Sequence, residues 1–278
     1  MKSYILRTCS ADMTSHGGAF TWPASGPVEA LDWSPVHICG RGLHGFLNGC
    51  GDGSLADWDE FAKWLVVEVD SETIVDLEGK VKFPKGEVVF CGTREEAIAK
   101  LEALAPETKH MPVVGATRVA GNNMECHAGY RGKAIAGNYG TATAGNKGKA
   151  TAGNRGTAIA GFNGTAIAGN EGTATAGING KATAGNGGTA TADDWGTATA
   201  GNRGTATAGV NGTATAGVNG TATAGDGGRI IISWYDEKIR MRTTIGYVGE
   251  DNIQANIPYQ CDEEGKLVQV QKEVQKCQ

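Results

Sequence analysis

The sequence predicts a mainly β chain: a parallel β-solenoid with 16-residue two-strand coils, preceded by a small α+β domain and followed by a β cap. Three observations carry this expectation. From about Ala116 to Gly227 one eight-residue phrase recurs, typified by Gly-Thr-Ala-Thr-Ala-Gly-Asn-Arg at 196–203, with twelve consecutive copies starting from Gly132 to Gly220. Such self-similarity at a short fixed period marks a solenoid. Within each copy, positions 2 to 5 alternate Thr-Ala-Thr-Ala, the period of a short β-strand. Finally, the substitutions repeat every sixteen residues, not every eight.

Residues 1–112 read as a separate α+β head. Lys2–Thr8 is a first strand. Ser54 to Trp64 reads as a helix, with Ser54 and Asp57 at capping-box spacing and Leu55, Trp58, Phe61 and Ala62 on one face. Trp64–Val69 is a buried strand and Glu87–Cys91 another. Thr93-Arg-Glu-Glu96 opens a second helix that turns Ala97, Ile98, Leu101 and Leu104 inward and stops at Pro106.

Residues 113–228 form the solenoid. Lys133, Lys149 and Lys181 occupy position 2, so positions 2 and 4 face water and the Ala positions face inward. Gly at positions 1 and 6, with Asn at 7 or 8, is expected to turn the corners by adopting positive φ. Asn138, Asn154, Asn170, Asn186 and Asn202 recur at one corner, and Phe162, Ile178 and Val210 at the other, until Val218 breaks the parity. The unit is therefore a coil of two strands and two unlike corners, with an Asn ladder bonding rung to rung along one corner. Six coils at ~4.8 Å per rung stand roughly 29 Å high. An Ala-only interior makes a thin, rigid slab.

Residues 229–278 form the cap. Arg229-Ile-Ile-Ile-Ser-Trp-Tyr235 is a more apolar strand, followed by a turn at Asp236-Glu237 and a return strand through Ile245. Gln254–Val270 is a second hairpin around Asp262-Glu-Glu-Gly265. An open solenoid end exposes backbone groups and needs such an unlike terminus.

Composition narrows the function. The 278 residues carry 25 Lys and Arg against 30 Asp and Glu, and no basic stripe gathers, which argues against a nucleic-acid partner. The first residues hold no signal-like apolar stretch and no long apolar run follows, so no membrane partner is expected. Seven irregularly spaced cysteines, Cys277 among them, suit reduced thiols in a cytoplasm. The repeated Gly lacks the Gly-Lys-Ser/Thr ending of a phosphate loop.

Two sets of solenoid residues stand out. The even-numbered copies align Thr141/Thr143, Thr157/Ile159, Thr173/Thr175, Thr189/Thr191, Thr205/Thr207 and Thr221/Thr223 as two outward columns, a candidate binding face. Asp193-Asp194-Trp195 replaces the usual corner once, as either a partner contact or a tolerated corner variant. In the head, His37, Cys39, His44 and Cys50 are metal-ligand types, but their spacing fits no familiar zinc knuckle and no metal is expected.

The phrase Ala-Gly-Asn-x-Gly-Thr-Ala-Thr resembles the octapeptide of bacterial ice-nucleation proteins, Ala-Gly-Tyr-Gly-Ser-Thr-x-Thr. The Thr columns also resemble the ice-contacting faces of antifreeze solenoids; ice binding is what these resemblances imply. The ends, with Cys39-Gly-Arg-Gly-Leu-His44 and Tyr247-Val-Gly-Glu-Asp-Asn-Ile253, resemble an uncharacterised family of phage and prophage proteins, which implies a virion or a bacterial host cytoplasm as the setting. The order of Arg7, Gly40-Arg-Gly-Leu-His-Gly-Phe46, Trp64–Val69 and Gly86-Glu-Val-Val-Phe90 resembles ADP-ribosyltransferases. That resemblance implies NAD as a cofactor, Arg7 as its anchor, His44 as the stacking residue and Glu87 on the ribose hydroxyl; His44 departs from the family's Tyr. The reading favoured by the residues is non-catalytic and cofactor-free: a slab that holds head or cap toward a protein partner, in an oligomeric state the sequence leaves open.

Overall fold

The computed structural model describes residues 1–15, 18 and 20–270; Cys277 and the last residues of the expected cap lie outside the described residues. The chain divides into two compact units. One joins residues 1–118 to 127–133, and the other joins 119–126 to the described residues from 134 on.

The first unit is a seven-stranded antiparallel sheet. Its strands are β1 (Lys2–Cys9), β2 (Gly26–Glu29), β3 (Leu43–Leu47), β4 (Lys63–Asp70), β5 (Val75–Asp76), β6 (Val81–Phe83) and β7 (Lys85–Gly92). They lie in the order β2-β7-β4-β1-β3-β6-β5. Alternation along β1 and β4 splits the apolar residues between two faces. Ile5, Leu65 and Val67 join Trp22, Phe83 and Val88 in one cluster. Leu6, Trp64 and Val66 meet Ala97, Ile98 and Leu101 of the helix α1 (Arg94–Leu104) in the other. Thr93 caps α1, and its side chain and that of Glu96 close the reciprocal capping box that the sequence signals.

The helix expected over 54–64 does not form. A single 3-10 turn, Gly53–Leu55, follows the N-cap Asp52, and the chain then runs irregularly to Lys63. Asp57 and Asp59 accept from the backbone N–H two residues on, Asp59 at 3.0 Å and Phe61 at 2.8 Å, so local Asx turns outcompete the helix. Leu55 and Phe61 stay exposed, while Trp58 packs edge-on against Trp64.

The second unit is a parallel solenoid of about seven sixteen-residue turns. Odd and even copies go to separate sheets, as in Thr157↔Thr173 and Thr165↔Lys181, each in register sixteen residues apart. Every Ala at positions 3 and 5 from Ala134 to Ala224 is buried. Small inward side chains leave no room for anything but a thin core.

The corners work differently from the expectation. Positive φ falls at position 8, whatever residue stands there: Tyr139, Lys147, Arg155, Glu171, Trp195 and Arg203 all adopt it. The Gly at position 6 serves close approach. A Cβ on Gly169 would sit 2.5 Å from Asn154 Oδ1 and 2.7 Å from Asn154 N. The Asn ladder is real but joins side chain to backbone. Asn138 Oδ1 accepts from the Asn154 N–H at 2.8 Å, and Asn154 Oδ1 from the Asn170 N–H at 2.9 Å, up to Val218 N–H on Asn202.

The cap ends the stack by reversing strand direction. Arg229–Tyr235 still pairs in parallel with Thr213–Ala216, but Met241–Tyr247 returns antiparallel. On the other sheet Tyr259–Cys261 pairs antiparallel at Ala222 and Leu267–Gln269 completes a hairpin. Ile230 and Ile232 replace the inward Ala pair and are buried. Asp236 fixes the first hairpin turn by accepting from the Lys238 and Arg240 N–H groups.

Candidate functional site

The Thr residues singled out from the sequence all lie on the even-numbered sheet, and the ladder places them in register. Thr141, Thr157, Thr173, Thr189, Thr205 and Thr221 form one column; Thr143, Ile159, Thr175, Thr191, Thr207 and Thr223 form the second. Rungs recur at ~4.8 Å and the columns stand ~7 Å apart along the strand. Gln260 of the cap donates to Thr221 Oγ1 at 2.9 Å. The odd-numbered sheet is less uniform, since Lys133, Lys149, Lys181 and Arg229 stand in its outer column.

Asp193, Asp194 and Trp195 separate into different roles. Asp194 Oδ1 accepts from the Val210 N–H at 2.8 Å, as an Asn does at the opposite corner. Asp193 takes the position 6 that is otherwise Gly. It lies one coil above Ile178, where no Asn side chain folds over the corner. Trp195 is 63% exposed and holds the positive φ of position 8.

The head contains a cavity of about 950 Å³ where β1 and β3 part. The two strands pair through Ile5↔Leu47 and Leu6↔Phe46; beyond that pair, Arg7–Cys9 and Leu43–Gly45 line the space with Phe20, Trp22, Trp58 and Lys80. A Cβ on Gly45 would meet Ile5 Cγ2 at 2.3 Å, so only Gly lets β3 approach β1 here. Arg7 and His44 both line this space. Burial first, then the charges of Lys80, Arg7 and Lys82, lower the His44 imidazole to about 4; Nε2 accepts from the Gly40 N–H at 3.4 Å.

Glu87 is not with them. It pairs with Glu68 across β4 and β7, and Glu68 pairs with Tyr4. Tyr4 and Arg7 are three residues apart on one strand and so face opposite sides of the sheet. Glu68 there takes an ion pair from Lys2 at 2.6 Å. Nothing on β7 therefore offers a carboxylate to a ligand held at Arg7.

The four metal-type side chains have separate partners. His37 Nδ1 lies 3.3 Å from Asp76 O, Cys39 Sγ accepts from Lys80 Nζ at 2.9 Å, and Cys50 Sγ donates to Asn48 O. The hydrogen bond from Lys80 holds the Cys39 thiol below its ordinary pKa. Among the described residues no three His, Cys, Asp or Glu gather to hold a metal. No helix among them is long and apolar enough to cross a membrane. Trp22 and Lys80, distant in sequence from the motifs, carry no local signal of their place in the cavity.

Fold and repeat together define the class: a tandem-repeat β-solenoid protein with a small α+β head. Residues 3–100 match a family profile described as a domain of unknown function, DUF7666. The solenoid repeat is related to those of ice nucleation proteins. It is 41% identical over 99 residues to ice nucleation protein InaU of Pantoea ananas, covering 35% of this chain and 10% of that protein. It is 42% identical over 98 residues to an ice nucleation protein of Pseudomonas syringae, covering 34% and 8%. A third, from Xanthomonas campestris pv. translucens, is 38% identical over 117 residues, covering 41% and 7%. The chain spans about a tenth or less of the length of these relatives. No solved structure matches the chain.

Proposed function

We propose that this chain is a non-catalytic structural protein of phage or prophage type, in which the solenoid is a rigid slab that holds head or cap toward a protein partner. It works in the virion or in the bacterial host's cytoplasm. The observation that carries this reading is the continuity of the ladder. Each rung is tied at its strands and again at its corners, as where the Arg155 N–H donates to Asn170 O at 2.8 Å and the Asn170 N–H to Asn154 Oδ1 at 2.9 Å. No rung is left to hinge. Spin labels at Thr141→Cys and Thr221→Cys, five rungs apart, should give one narrow distance distribution near ~24 Å, before allowance for the label arms. A broad or bimodal distribution refutes the rigid slab.

A second reading gives the even-numbered Thr face a ligand, ice. In-register Thr columns support it, as does the relation of the repeat to proteins named for ice nucleation. Thermal hysteresis should then appear at high protein concentration. It should fall with Thr173→Tyr and survive Thr199→Tyr on the odd-numbered sheet. Absence of hysteresis and of any change in freezing temperature ends this reading and leaves the slab untouched.

A further inference from the structure

The head cavity contains a charge that no described residue answers. Arg7 rises from β1 into a half-buried position, and desolvation there pulls its guanidinium below the ordinary Arg range. Its Nε–H is sealed from solvent and has no hydrogen-bond partner among the described residues. Cys9 also acts on it, but burial pushes the Cys9 thiol up to about 11 and so leaves it uncharged at neutral pH. The carboxylates that line the cavity are engaged with backbone. Asp32 accepts from the Gly42 N–H at 3.1 Å, and Asp57 from the Asp59 N–H at 3.0 Å. Among the described residues neither forms an ion pair with Arg7.

A second orphan donor adjoins the first. Trp22 is 3% exposed, its indole Nε1–H has no partner among the described residues, and its ring lies 5.4 Å from the Arg7 guanidinium carbon. Stacking on an aromatic face softens the burial of a cation but leaves its in-plane donors unmet. Buried donors are nearly always satisfied, and a buried charge without a counter-ion is strongly unfavourable. Arg7 and Trp22 both line one open cavity, as do Lys80 and Arg41. What is missing is an acceptor with negative charge and at least two oxygens, the group that a guanidinium fork fits best.

We propose that the head is a receptor for a small oxyanion, a carboxylate or phosphate ester, seated on the Arg7 guanidinium with its organic part against the rings of Phe20, Trp22 and Trp58. His44 is neutral at physiological pH, since its imidazole titrates at about 4, and so supplies a polar wall with no competing charge. The role is recognition, with no bond made or broken. It stands apart from the slab and ice readings, because it uses only head residues.

The test uses the full chain with inorganic phosphate, phenyl phosphate and benzoate as probes, against chloride at equal ionic strength. At least one oxyanion should raise the melting temperature by several degrees and move the Trp22 indole N–H resonance, with chloride doing neither. The comparison of phenyl phosphate and benzoate tells a phosphate ester from a carboxylate. Arg7→Met should melt at or above the ligand-free wild type, because it removes a half-buried charge with no counter-ion among the described residues, and should lose the response to the probe. A response that persists in Arg7→Met, an equal response to chloride, or no response to any oxyanion overturns the proposal. If Arg7→Met does not fold, the wild-type indole resonance alone decides.

Discussion

The position-6 glycines give the sharpest quantitative consequence of the coil. Gly169→Ala places a Cβ 2.5 Å from Asn154 Oδ1, 2.7 Å from Asn154 N and 2.8 Å from Gly153 C. Two of those three atoms are backbone and cannot rotate away, so the corner has to separate. Gly177→Ala, on the next corner, meets Gly161 C and Phe162 N at 3.0 Å, because Phe162 folds no amide over the turn. Overpacking of the first kind costs about 1–3 kcal/mol. Separating the corner also stretches the 2.9 Å bond from the Asn170 N–H to Asn154 Oδ1, and a lost hydrogen bond adds about 1 kcal/mol. Gly169→Ala should therefore destabilise by about 2–4 kcal/mol and Gly177→Ala by about 1. The loss of unfolded-chain freedom is common to both and cancels in the difference. Urea unfolding followed by circular dichroism, with hydrogen exchange across the altered rung, reads both. Equal costs, or a larger cost at Gly177, would refute the assignment of Gly to close approach.

Other outcomes follow from the same geometry. Asn154→Ala should cost about 1 kcal/mol in urea unfolding, whereas Asn154→Asp should be nearly neutral, since Asp194 already does this work. Thr93→Ala removes the N-cap of α1 and should lower head stability by about 1 kcal/mol, read as earlier exchange of the first-turn amides. His44 is depressed from 6.5 to about 4 by burial first and by neighbouring cations second. The unfolded chain therefore binds the proton more readily, and the contribution of neutral His44 is complete above about pH 6.5 and lost as pH falls toward 4. Allowing for solvent screening, the loss is about 1–2 kcal/mol. The difference in urea midpoint between wild type and His44→Asn across that window checks it; a flat difference contradicts it.

The solenoid was legible because every determinant is local and repeated. Alternation assigns Ala inward, and the spacing of Asn138, Asn154 and Asn170 reveals the sixteen-residue coil without any long-range information. Its corners were harder to read. The residue that turns left-handed is Tyr139 or Glu171 as readily as Asn, while Gly marks proximity to the coil before it. Asp193 was the available clue, a side chain at a Gly position only where the corner beneath holds Ile178. The head was less legible. Asp57 and Asp59 turned a helical apolar pattern into Asx turns, a competition that periodicity does not weigh. Arg7 and His44 line one cavity, but sheet pairing puts Glu87 on the far face from Arg7, because facing depends on registers such as Tyr4↔Glu68 that no local signal specifies. The chemically suggestive feature, an unanswered Arg7, depends on what is absent around it and so appears only in three dimensions.

The solenoid rests on the pairing of copies into sixteen-residue coils, and cross-linking tests that pairing directly. Thr173→Cys with Thr189→Cys joins residues in register on adjacent rungs, ~4.8 Å apart, within disulfide reach. Thr173→Cys with Lys181→Cys joins residues eight apart, which belong to different sheets. Mild oxidation and peptide mapping should find the 173–189 disulfide and no 173–181 disulfide. A 173–181 link formed as readily as 173–189 would contradict the two-sheet coil and the ordered Thr face that depends on it.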